Sequence, residues 1–232
     1  MYSSVIVVAA GKGERLKSRT PKPLVKINSI PLIVYSLRVF NKLASVRQII
    51  VVASSESNGE IASLARKYKI NKLTDIVPGG SRRQDSVNNG LKFLDAKAGV
   101  VLIHDAARPF IDKNLVSRLI RKADTIGAAI AAVPVKATIK QSAMLNHKHS
   151  GSVVKSTLDR SRLWEIQTPQ VFRKDIIIEA YRRFNKENFT DDSALVEKLG
   201  KRVALEMGFY SNIKITTPED LIIAGALLKE KL

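Results

Sequence analysis

Short, continuous apolar runs recur along this 232-residue chain, and longer stretches with an apolar stripe lie between them. The runs Val5–Ala9, Gln48–Ala53, Val100–Ile103, Ala128–Val135 and Val203–Glu206 predict strands. The striped stretches Leu32–Lys42, Ile61–Tyr68, Arg83–Leu94, Asn114–Ile126, Lys174–Phe184 and Pro218–Leu228 predict helices. Pro218 suits a first helical turn, and Glu219 and Asp220 suit its positive end. This alternation argues for an α/β fold with a mainly parallel sheet covered by helices on both faces. In such sheets ligands bind beyond the carboxyl ends of the strands. The residues that could carry chemistry fall there, after Ala9, Val77 and Ile103.

One segment breaks the alternation. Residues 136–160 are polar and basic, with β-branched patches at Thr138-Ile139 and Val153-Val154 around a turn expected at Ser150-Gly151. They predict a two-stranded arm projecting from a single domain over 1–232. An isolated hairpin is marginal in water, so the arm needs something to pack on, and a second copy of the chain is the expected partner.

Composition narrows the classes. The apolar share of 45% allows a sizeable core. No apolar run reaches the ~20 residues that span a bilayer, and no secretory signal is evident, so a cytoplasmic location is expected. The absence of cysteine excludes disulfides, cysteine nucleophiles and thiolate metal sites. The net charge of +18 points to anionic partners without naming them. The basic residues form no run or stripe, so a nucleic-acid-binding role has little motif support.

The most informative stretch follows the first strand: Ala9-Ala10-Gly11-Lys12-Gly13-Glu14-Arg15-Leu16, then Pro21-Lys22-Pro23. Small residues let backbone N–H groups approach a phosphate, and Arg15 and Lys22 can flank it. The spacing is neither a P-loop nor a dinucleotide fingerprint, because Leu16 stands where each would need glycine. An ordinary strand-to-helix turn remains open for the glycines alone.

Further constellations follow. Gly79-Gly80 through Ser86 opens a helix, and Gly80 and Ser86 could read a base edge. His104-Asp105-Ala106-Ala107-Arg108-Pro109 follows a strand, where Asp105 could meet a ribose hydroxyl or Mg²⁺ and Arg108 a phosphate. A surface Asp–Arg ion pair is the plainer alternative, and His104 is read as structural. Thr190-Asp191-Asp192-Ser193 could simply cap a helix. Lys214 lies in a strand-like alternation, facing either a phosphate or water.

Together, in this order, these motifs resemble the cytidylyltransferases that join CTP to 2-C-methyl-D-erythritol 4-phosphate in non-mevalonate isoprenoid synthesis. The run His104 to Pro109, then Asp159-Arg160, Leu163-Trp164 and Gln167-Thr168-Pro169-Gln170, carries the resemblance, which covers nearly the whole chain. The related ribitol-5-phosphate enzymes share the glycine loop and Thr-Pro-Gln but lack the Asp-Arg and Leu-Trp pattern. The resemblance implies a Rossmann-like domain whose arms interlock in a homodimer. It implies Arg15 and Lys22 as the catalytic pair. It implies nucleotide contacts at Ala9, Ala10, Gly11, Gly13, Gly80, Ser86, Asp105 and Thr168, with Asp105 also a ligand of Mg²⁺ held mainly by the triphosphate. Acceptor contacts fall on Arg108, Thr190 and Lys214, with Thr138 and Arg160 reaching in from the partner's arm.

Three positions depart from the family pattern. Pro23 replaces a usual Gln and makes a Pro-Lys-Pro similar to that of sugar-1-phosphate nucleotidylyltransferases. Ser81 replaces an acidic residue near the base. Ala137 replaces an Asp before the arm threonine.

Overall fold

The computed structural model describes residues 2–11, 13–16, 18, 20–144 and 152–229. β1 (Ser3–Val8) leads through 3-10 turns at Glu14–Leu16 and Lys22–Leu24 to a small hairpin, β2 (Lys26–Ile27) and β3 (Ile30–Pro31). Then come α1 (Leu32–Lys42), β4 (Val46–Ala53), α2 (Ser55–Lys67), β5 (Leu73–Pro78) and α3 (Arg83–Leu91). β6 (Val100–Asp105), α4 (Lys113–Ile126) and β7 (Ala128–Pro134) complete the first stretch of alternation. The arm strands β8 (Lys140–Met144) and β9 (Ser152–Thr157) precede β10 (Trp164–Arg173), α5 (Lys174–Phe184), α6 (Asp192–Lys198), β11 (Ala204–Met207) and α7 (Pro218–Lys229).

Seven strands form one sheet in the order β11-β7-β10-β6-β1-β4-β5. All neighbours run parallel except β10, which is antiparallel to both β6 and β7. Alternate residues of β1 serve opposite faces, as the pleat requires. Val5 and Val7 pack with α1 and α4, whereas Ile6 packs with α3, α5 and α6. A third apolar cluster joins Leu16, Ile27, Leu32, Phe110 and Ile215 to Ala224 of α7. No helix among the described residues is long and apolar enough to cross a membrane.

The chain steps from β1 outward to β4 and β5, then crosses back to β6 on the other side of β1. That reversal opens a crevice beyond the carboxyl ends of β1 and β6. α3 is drawn tightly onto the sheet beside it. A Cβ added at Gly90 would meet Ile6 Cγ2 at 2.8 Å and Val52 Cγ2 at 3.1 Å. Gly90→Ala is therefore expected to lower stability in urea by about 1–3 kcal/mol, although alanine is the better helix former. Unchanged stability would contradict this close packing.

Two expectations change here. The Lys214 segment forms no strand; Ile215 ties it to the fold's interior, its N–H donating to the Ala107 carbonyl at 2.8 Å. The arm is the expected antiparallel pair, with Lys140 opposite Thr157 and Met144 opposite Ser152, but the turn expected at Ser150-Gly151 lies outside the described residues.

Candidate active site

The loop after β1 is held by the residue that breaks both glycine-motif templates. Leu16 is buried in the third apolar cluster and its N–H donates to the Gly13 carbonyl at 2.9 Å, which leaves Arg15 exposed on the cavity side. Gly13 has φ +70°, and a Cβ there would lie 2.8 Å from Lys22 Cβ. Only glycine suits that turn and that approach together. Lys22 opens the 3-10 turn Lys22–Leu24, with Pro23 buried in its first positions, where a fixed φ and a missing N–H cost nothing. This local geometry accounts for Pro23 without appeal to a different substrate.

A cavity of about 670 Å³ lies beyond the strand ends. Of the expected residues, Ala9, Ala10, Gly11, Gly13, Arg15, Lys22, Gly80, Ser86, Asp105 and Lys214 all line it. A second cavity of about 670 Å³ adjoins it and is lined by Arg108, Thr168 and Thr190. Arg83, Asp105 and Lys214 belong to both and form the wall between them.

The charges on this wall are tightly arranged. Asp105 Oδ1 accepts from Arg83 Nε at 3.0 Å, and Oδ2 accepts from Lys214 Nζ at 2.6 Å. Burial would raise the Asp105 pKa, but the facing Arg83 and Lys214 outweigh it and hold the carboxyl well below the usual range. Lys22 is the converse case. Burial lowers its pKa, and the positive charges of Lys214 and Arg15 add to that effect against a partial pull from Asp105. Arg15, Lys22 and Lys214 thus converge on a cavity whose described lining holds one carboxylate, Asp105. That is an anion site in electrostatic terms.

Four expectations are refined by geometry. Gly80 N–H donates to Ser86 Oγ at 3.0 Å, and that hydroxyl donates to the Arg82 carbonyl at 3.2 Å. The two expected base readers therefore bind each other as well as lining the cavity. Ser81 donates to Asp85 Oδ2 at 2.8 Å, and Arg82 closes a capping box with the same carboxylate, so this segment satisfies its acidic group internally. Thr168 lines the second cavity rather than the first. Thr138 and Arg160 line neither cavity; Arg160 Nη1 donates to the Lys136 carbonyl within the arm.

His104 is structural, as its sequence context indicates. It is fully buried, and burial pushes its pKa down to about 4, so it is neutral at pH 7. Its Nε2 lies 3.0 Å from the Arg108 carbonyl, which can only accept, so Nε2 carries the hydrogen. Nδ1 then accepts from the Thr168 hydroxyl at 3.0 Å, and that oxygen accepts from Asp105 N–H at 3.1 Å. The network fixes the end of β6 against β10. Arg108 is buried and donates to the Asn212 and Ile166 carbonyls, at 2.6 and 3.3 Å. A buried guanidinium held by carbonyls and facing a cavity favours an anion there.

Arg83 has no motif of its own in the sequence beyond the segment Gly79 to Ser86 that opens a helix. Asp192 stands in the sequence only within the run Thr190 to Ser193 that could cap a helix, yet it pairs with Arg83 Nη1 at 2.8 Å across 109 positions of the chain. No local pattern signals so distant a pairing. Asp191 fulfils the capping alternative, accepting from Ala194 N–H at 3.1 Å.

The switch-point crevice, the cationic loop and the paired second cavity define a nucleotidyltransferase-type site on a Rossmann-like sheet. The profile of the family described as "IspD: 2-C-methyl-D-erythritol 4-phosphate cytidylyltransferase" matches residues 3–230, and the chain belongs to that family. A relative of that name from Shouchella clausii is 44% identical, over 100% of this chain and 98% of its own. A bifunctional IspD/IspF enzyme from Desulfotalea psychrophila is 42% identical over 98% of this chain, which corresponds to 57% of that protein. Among solved structures, the 4-diphosphocytidyl-2C-methyl-D-erythritol synthase of Anaerococcus prevotii has a TM-score of 0.84 at 32% identity, covering 98% of this chain and 96% of its own.

Proposed function

We propose that this protein transfers the cytidylyl group of CTP to 2-C-methyl-D-erythritol 4-phosphate and releases pyrophosphate. The observation that carries this reading is the convergence of Arg15, Lys22 and Lys214 on one cavity, joined through Asp105 to a second cavity that contains the buried Arg108. The first cavity takes the nucleotide against Ala9, Ala10, Gly11, Gly13 and the loop shaped by Gly80 and Ser86. The second takes the sugar-alcohol phosphate against Arg108, Thr190 and Lys214.

A phosphate monoester has a second pKa near ~6 and is mostly a dianion at neutral pH, so it attacks without a general base. This agrees with the described hydroxyls of the nucleotide cavity. Ser81, Ser86 and Thr216 each donate within the protein, and His104 has both nitrogens engaged. One acceptor oxygen forms a bond to the α-phosphorus while the bond to the β-bridging oxygen breaks, its electron pair leaving with pyrophosphate. The barrier is anion against anion, so catalysis is neutralisation and alignment. Arg15 and Lys22 neutralise the α-phosphate as it becomes five-coordinate, and Lys22 also assists the leaving group.

The donor set suits a divalent ion brought by the triphosphate. Asp105, whose oxygens are held by Arg83 and Lys214, is the carboxylate in the described lining of the nucleotide cavity, and the described residues include no cluster of three metal-type ligands. A magnesium ion bound with CTP supplies further neutralisation of the phosphates, and Asp105 is the group that would hold it.

The protein acts as one domain and as a homodimer through the arm of residues 136–160. Val153 and Val154 of β9 are 44% and 63% exposed on a hairpin whose strands pair with each other, which favours burial against a second copy. In that dimer Thr138 and Arg160 complete the acceptor site of the other subunit. Water-soluble charged substrates fit a cytoplasmic location.

Pyrophosphate release from each nucleoside triphosphate, with methylerythritol phosphate, ribitol 5-phosphate or glucose 1-phosphate as acceptor, tests the reading. Release is expected with CTP and methylerythritol phosphate. Preference for either other acceptor would overturn the assignment.

A further inference from the structure

The two cations on Asp105 differ in how firmly they are held. The Lys214 side chain is 40% exposed and comes from a segment outside the sheet. Arg83 is pinned at both ends of its guanidinium, by Asp105 through Nε and by Asp192 through Nη1. Asp192 is 1% exposed; its Oδ1 accepts from the Tyr181 hydroxyl at 2.6 Å, and its N–H donates to Gln170 Oε1 at 3.1 Å. Tyr181 lies in α5 and Gln170 in β10, both buried. The partner of Asp105 Oδ1 is therefore referenced to the core, and the partner of Oδ2 to a side chain with room to move.

We infer that Tyr181, Asp192 and Arg83 are a positioning relay for Asp105, and that Lys214 is the releasable partner. The inference rests on the nucleotidyl-transfer reading. On nucleotide binding, Lys214 leaves Oδ2 for a phosphate of the incoming nucleotide in the first cavity, which it lines, while Arg83 keeps Oδ1 and so the orientation of the carboxylate. The charges allow this. Arg83 and Lys214 balance Asp105 and Asp192 before binding, and Lys214 carries its positive charge to the incoming anion. The guanidinium fork is needed because one planar group must meet two carboxylates at once, which an ammonium on a flexible stem does poorly. Asp192 and Tyr181 line neither cavity, and the cavity-lining side chain that the Asp192 carboxylate bonds is Arg83.

The test is a double-mutant cycle on the full-length protein. Asp192→Asn and Tyr181→Phe are each made with Asp105 intact and with Asp105→Asn. CTP affinity is read by calorimetry without metal, and kcat and KM by pyrophosphate release. With Asp105 intact, Asp192→Asn is expected to weaken CTP binding and lower kcat by about 10-fold, with the acceptor KM moving less than about threefold. In the Asp105→Asn background the same change should cost less than about twofold in CTP affinity, because the group being positioned is gone. Arg83→Lys should behave like Asp192→Asn rather than restore wild-type values. Equal losses in both backgrounds, or no loss in either, would overturn the relay. Asp192→Asn breaks a buried ion pair, so if it does not fold, Tyr181→Phe carries the cycle with the removal of one hydroxyl. Wild-type protein that binds CTP but releases no pyrophosphate would refute the catalytic reading, while the calorimetric cycle still decides the relay.

Discussion

Replacing Lys22 by Met is expected to raise the thermal midpoint while lowering kcat by at least ~100-fold. Lys22 is a half-buried cation beside two other cations, and burial and their charges depress its pKa. A base whose folded pKa is depressed is less stable charged in the native state than in the unfolded chain. Its penalty is therefore fully present at neutral pH and is relieved as pH rises through the folded value towards the ordinary lysine range near ~10.4. Methionine fills similar volume without the charge, and relief of like-charge repulsion at a functional site is worth about 1 kcal/mol, or ~2–4 °C for a chain of this size. On the proposed mechanism the same substitution removes a cation that neutralises the reacting phosphate, worth on the order of 3–4 kcal/mol in the transition state. Calorimetric scans and steady-state kinetics on one preparation measure both effects. The gain in midpoint should narrow as pH approaches the lysine range. A variant less stable than wild type at pH 7 would show that Lys22 is not a strained cation, and full activity would remove it from catalysis.

The second large effect is intersubunit complementation. Arg15→Ala and Arg160→Ala should each leave ~1% or less of wild-type activity when tested alone. If Arg160 serves the other subunit, mixing the two variants and allowing exchange restores one intact site in each mixed dimer. Half of the dimers are mixed at random exchange, and half of their sites are intact, so recovery approaches about one quarter of wild-type activity. The position of Arg160 motivates this result: it lines neither cavity of its own chain and bonds to the Lys136 carbonyl within the arm. Proven exchange without recovery would assign Arg160 to the arm's own stability.

Much of the fold is legible in the sequence because its helices obey amphipathic spacing. The predicted bounds of α1 and α5 agree with the structure at both ends, since each helix presents a clear apolar stripe, such as Ile33, Leu37 and Phe40 in α1. The pattern marks α2 only from Ile61, because its first turns, with Glu56, Asn58 and Gly59, carry little apolar signal. β10 escapes the pattern because Gln167, Thr168 and Gln170 are polar yet buried. Their side chains bond to Phe209, His104 and Asp191, partners that only the tertiary fold supplies. The site shows the same division. Residues next to a strand end, such as Arg15, Lys22 and Asp105, announce themselves by local motif. Arg83 and Asp192 acquire meaning only when α3 and α6 meet across the sheet end, which no local spacing encodes.

Direct attack on the α-phosphorus, with protein cations neutralising charge and no protein nucleophile, has a stereochemical signature. It is tested most directly with CTP bearing a single sulfur-substituted, configurationally defined α-phosphate and methylerythritol phosphate as acceptor. Phosphorus NMR of the isolated product should show inversion at that phosphorus, the outcome of one in-line displacement. Retention would require two displacements through a nucleotidylated protein side chain and would contradict direct transfer.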